Sequence, residues 1–84
     1  MDQERTNKEV AEIFTAAGHS VEVINGGQRE WETTDEWKET VQRNVEHLEI
    51  IKGYKKLDEK TSIWGSEDFT AIDKAIVDGK KIYS

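Results

Sequence analysis

The amino-acid sequence predicts a small α+β domain: three helices, with a short β-hairpin between helix 1 and helix 2. Three observations predict it. Apolar residues recur at helical spacing in three segments, each followed by a glycine. A short run rich in β-branched residues, Ser20 to Ile24, and a weakly β-prone one, Gln28 to Trp31, flank Asn25-Gly26-Gly27. The chain has 84 residues with no cysteine and no proline, so neither a disulfide nor a stiffened loop supports it. A chain this short buries only about 60–65% of its unfolded surface. With 35% apolar and 36% charged residues the core must be lean. Residues 1–84 are read as one domain, with 1–5 frayed.

Helix 1 is announced by Thr6-Asn7-Lys8-Glu9, a capping box in which each side chain serves the other's backbone N–H. Val10, Ile13, Phe14 and Ala17 follow on one face. Gly18 stands where a left-handed residue ends a helix at little steric cost, so the helix is placed from Asn7 to Ala17.

Ser20 to Ile24 and Gln28 to Trp31 then read as two strands about a glycine turn. A three-residue loop pairs Val21 with Trp31 and sets both, with Val23, on one face. A two-residue Asn25-Gly26 loop puts Trp31 on the other face, which leaves the register open. An irregular loop after one short strand is the plainer alternative.

Helix 2 carries the clearest pattern: Trp37, Val41, Val45, Leu48 and Ile51 fall on one face, with charged residues between them. It starts at Thr33 or Thr34; if Thr33 caps, Glu36 completes a second capping box. Gly53 is the expected end or kink, although Tyr54 and Leu57 roughly extend the stripe. Helix 3 is expected to start at a Ser66 cap, with Glu67 and Asp68 in its first turn and Phe69, Ile72, Ala75 and Ile76 turned inward. Gly79 closes it, leaving Lys80 to Ser84 as a tail.

The net charge of −6 opposes bulk attraction to nucleic acid or anionic membranes. Acidic residues are densest at Glu30, Glu32, Asp35, Glu36 and Glu39, and lysines cluster at Lys52, Lys55, Lys56 and Lys60. No window approaches the roughly 20 apolar residues of a membrane span. The first eight residues hold no signal-peptide core. A soluble protein working inside the cell that makes it is expected.

No constellation meets the requirements of catalysis, a cofactor or a metal, so a non-enzyme is expected. His47 lacks a second ligand three or four residues away, and His19 is a turn residue. Asn25-Gly26-Gly27 lacks the lysine and hydroxyl of a phosphate loop. The candidate interaction residues are Trp31, Trp37, Asn44 and Trp64. Three tryptophans either supply bulk to a lean core or mark a contact surface. Asn44 either bonds a backbone group or fixes helix pairing from the seam. The lysine cluster with Tyr54 reads as a solvated face before it reads as a nucleic-acid contact.

The run from Trp37 to Leu48, with its Arg43-Asn44 and Leu48, resembles small proteins encoded by tailed bacteriophages, notably those of marine cyanobacteria. So does Trp64 followed by Glu67 to Ile76, Gly79 and Tyr83. The resemblance spans Trp37 to Tyr83 and carries over no catalytic residue. It implies a protein-interaction module, a minor virion or assembly component, found in the host cytoplasm or on the virion. Its partner would be another protein or a second copy. The alternative function is an acidic inhibitor of a host protein, imitating nucleic acid with its Glu30–Glu39 face.

Overall fold

The computed structural model describes residues 5–58 and 69–84. They form three helices, α1 (Asn7–Asn25), α2 (Thr34–Asp58) and α3 (Thr70–Tyr83). No strand occurs among the described residues, so the expected α+β class and its hairpin are replaced by an all-α arrangement.

Thr6 opens α1 with the capping box its sequence foretold. The Glu9 N–H donates to Thr6 Oγ1 at 3.2 Å, and the Thr6 N–H donates to Glu9 Oε1 at 3.1 Å. The helix then runs straight through Gly18. Residues read as the first strand are its last turns, because Ala17, Ser20 and Ile24 continue the buried stripe of Val10. The strand preference of Val21, Val23 and Ile24 yields to that burial. Termination comes later: the Gly26 N–H donates to Glu22 O at 2.9 Å, and Gly27 takes φ 75°. The expected second strand, Gln28 to Trp31, is part of the link to α2.

At the head of α2, Thr33 is the cap. Its N–H donates to Glu36 Oε1 at 2.9 Å, and its Oγ1 accepts from the Glu36 N–H at 3.1 Å. The helix passes Gly53 and continues to Asp58, so the glycine neither ends nor interrupts it. Phe69 occupies the N-cap of α3, which gives that helix a later start than Ser66. Ser66, Glu67 and Asp68 lie outside the described residues, as do Met1 to Glu4 of the segment expected to fray. Arg5, also assigned to that segment, holds its guanidinium 4.1 Å from the Tyr54 ring centre. Gly79 does not close α3; the helix carries the expected tail to Tyr83.

The helices run up, down and up. Arg5 at the start of α1 meets Tyr54 near the end of α2, while Phe14 meets Phe69 edge-on at 5.4 Å. Lys52 bonds Asp73 at 2.5 Å and Glu49 bonds Lys80 at 2.9 Å, which sets α3 antiparallel to α2. Val41, Val45, Leu48 and Ile51 of α2 form the buried centre, faced by Val10, Ala17 and Ile24 and by Phe69, Ile72, Ala75 and Ile76. Burying one such aliphatic side chain stabilises the fold by about 1.5–3 kcal/mol.

Candidate functional site

The link between α1 and α2 is short, polar and tied down by its own side chains. The Glu32 N–H donates to Arg29 O at 3.1 Å, closing a turn over 29–32. The Arg29 N–H returns to Glu32 Oε1 at 3.0 Å, and Gln28 Nε2 donates to Glu32 O at 3.0 Å. The Arg29 guanidinium lies 3.9 Å from the same carboxylate. Glu32 is thereby drawn inward, its side chain only 12% exposed. Trp31, inside the turn, is 78% exposed.

Beside the indole, the first turns of α2 supply the rest of a shallow hollow of about 350 Å³, lined by Trp31, Glu32, Glu36, Glu39, Thr40 and Arg43. Three carboxylates face one guanidinium there. Each carboxylate has a local bond: Glu32 with Arg29, Glu36 with Thr33, and Glu39 with Arg43 at 3.1 Å. In each of them the engaged atom is Oε1, and a carboxylate can accept through both oxygens.

The other sequence candidates do not join this hollow. Trp37 packs against the core, and its Nε1 is buried with no hydrogen-bond partner. Asn44 donates from Nδ2 to Thr40 O at 2.8 Å, a bond within its own helix. Trp64 lies outside the described residues. His19 and His47 are exposed, and no group of three or more potential metal ligands occurs among the described residues.

At the far end of α2 a second hollow, of about 550 Å³, is lined by Lys52, Gly53, Lys55, Lys56, Phe69 and Asp73. Here three ammonium groups face one carboxylate. Lys55 Nζ stands 4.6 Å from the Phe69 ring centre. The lysine cluster is legible in the sequence, but nothing local brings Phe69 and Asp73 to it from α3. The i, i+3 spacing of Arg29 and Glu32 is the local sign of their locked turn, which an acidic-face reading of Glu32 does not use.

No family model, curated protein or solved structure matches this chain.

Among the described residues two groups depart from their ordinary titration, and both lie away from the acidic hollow. A hydrogen bond from Lys74, 2.8 Å away, holds the Asp78 carboxyl below the usual range. The Glu49 carboxylate, bonded to Lys80, raises the pKa of that ammonium. Both are ion pairs between or along helices, a structural role. No described helix is long and apolar enough to cross a membrane.

Proposed function

We propose that the chain is a non-enzymatic protein-interaction module of the phage type, a minor virion or assembly component, and that it contacts protein through the end bearing Trp31. The observation that carries this reading is the 78% exposure of Trp31 in a turn locked by Arg29, Gln28 and Glu32. An indole left in water gives up the apolar burial that a lean core could use. Held in a fixed turn, it loses little conformational freedom on binding, and tryptophan is the residue type most enriched at interface hot spots.

The acidic-inhibitor reading receives less support. A nucleic-acid mimic needs unpaired carboxylates in a row, whereas Glu32 and Glu39 each have an arginine beside them.

The test is association of the purified chain with virions of its phage, read by mass spectrometry of washed particles, and capture by the immobilised chain of a virion protein. Trp31→Ala is expected to abolish capture while leaving the helical circular dichroism intact. Retention of capture by that variant, or absence of any captured protein, would overturn the proposal.

A further inference from the structure

The two hollows are complementary in charge, and they sit at opposite ends of one rigid element. Trp31 lines one hollow with Glu32, Glu36, Glu39 and Arg43; Phe69, only 9% exposed, lines the other with Lys52, Lys55, Lys56 and Asp73. Glu36 and Lys56 are twenty positions apart on the continuous helix α2, a separation of about 30 Å. The two surfaces therefore cannot meet within one chain.

We infer that they meet between chains, the Trp31 end of one copy seating in the lysine-lined hollow of the next. This rests on the reading of Trp31 as a contact residue. The recess lies within the roughly 300–1,000 Å³ span of sites that receive small ligands. It offers an indole the ammonium groups of Lys55 and Lys56, the former 4.6 Å from the ring centre of the buried Phe69. Ammonium groups are drawn to aromatic faces, and tryptophan is the strongest of these. The Glu36 carboxylate, which bonds the Thr33 N–H rather than an arginine, arrives with the indole and meets the lysines. Because the joined surfaces differ, a pair of copies still has one free end of each kind. Association of this sort is heterologous and grows by addition until a ring closes.

The test uses the whole chain in sedimentation velocity at low ionic strength. The wild-type mass is expected to rise with concentration and to fall back when salt is raised from about 0.05 M to about 0.5 M, where exposed charges are screened. Trp31→Ala spoils one surface, and Lys55→Glu with Lys56→Glu spoils the other. Each variant alone should remain monomeric, its association weakened at least about tenfold. Mixed together they should form dimers and nothing larger, since each contributes its one intact surface. Unchanged helical circular dichroism in both variants separates lost contact from lost folding. A wild-type chain that stays monomeric to about 1 mM overturns the inference. So does growth of either variant alone, or a mixture that forms no dimer. A monomeric wild type that still captures a virion protein through Trp31 would sink self-association and leave the interaction reading standing.

Discussion

Gly79 on α3 stands so close to Val45 on α2 that a Cβ added there would collide with Val45 Cγ2 and come within 3.3 Å of Val41 Cγ1. Val41 and Val45 are fully buried and belong to the centre of the core, so they have little room to withdraw. Gly79→Ala is expected to destabilise the fold by about 1–3 kcal/mol through overpacking, after an offset near 1 kcal/mol from better helix propensity. Adding Val45→Ala to that chain should recover part of the loss, because neighbours that share space do not act additively. Denaturant unfolding of the four chains measures this; equal costs with and without Val45→Ala would refute the contact.

Gly18 and Gly53 make the opposite case. A Cβ at either position meets nothing within 4 Å, and both lie inside helices. Replacing either by alanine should stabilise the chain by roughly 0.5–1 kcal/mol. Thermal melts would show the gain as a higher midpoint, and a lower one would contradict the helical assignment at that residue.

The indole N–H of Trp37 is buried without an acceptor. An orphaned donor costs about 1–3 kcal/mol, so Trp37→Phe removes a penalty while keeping much of the packing. That variant is expected within about 1 kcal/mol of the wild type, whereas Trp37→Ala should cost about 3 kcal/mol or more. If the phenylalanine variant proved as damaging as the alanine one, the N–H would have to be satisfied.

Thr33 and Thr6 cap their helices through reciprocal bonds with Glu36 and Glu9. Thr33→Ala and Thr6→Ala should each cost about 0.5–2 kcal/mol. Thr33→Ala should also speed amide exchange at Glu36, whose N–H bonds the threonine hydroxyl. The Trp31 turn lies immediately before this cap, so its amide protection reports on the same event.

The Lys80 pKa is raised in the folded chain by the hydrogen bond to Glu49. Its contribution to stability is complete below the ordinary lysine value of about 10.4 and is lost as pH rises through the higher folded value. Glu49→Gln should therefore lose less stability than the wild type over that alkaline window. Asp78 behaves in the opposite sense, its pKa lowered chiefly by the Lys74 hydrogen bond. That contribution is present above the ordinary aspartate value of about 3.9 and disappears as pH falls through the lower folded value. Asp78→Asn should flatten the acid limb of the stability curve.

Both capping boxes and the α2 stripe were legible in the sequence because their causes are local: a hydroxyl three residues before a carboxylate, and apolar residues three or four apart. The glycines misled. Gly18, Gly53 and Gly79 were each read as helix ends, yet a glycine ends a helix only where the backbone turns away, as it does around Gly26 and Gly27. Gly79 is glycine for a reason held on another helix, the nearness of Val45. The false hairpin arose likewise, since Val21, Val23 and Ile24 suit a strand until Ala17 and Ile24 are seen buried on one face. Of the candidate site, the sequence named Trp31 but could not say that it faces water while Trp37 faces the core. Exposure is decided by how the helices pack, and neither neighbour in the chain carries that information.

The two ion pairs between α2 and α3 alternate in sign. Glu49 and Lys52 on one helix meet Lys80 and Asp73 on the other. Exposed pairs of this kind add little strength. Their effect is to discriminate between opposite directions of α3 that would bury similar apolar stripes. Lay α3 down in the reverse direction and Glu49 faces Asp73 while Lys52 faces Lys80, like charge against like. A small chain with a lean core and no crosslink thus uses four surface charges to choose one direction of α3 over its reverse.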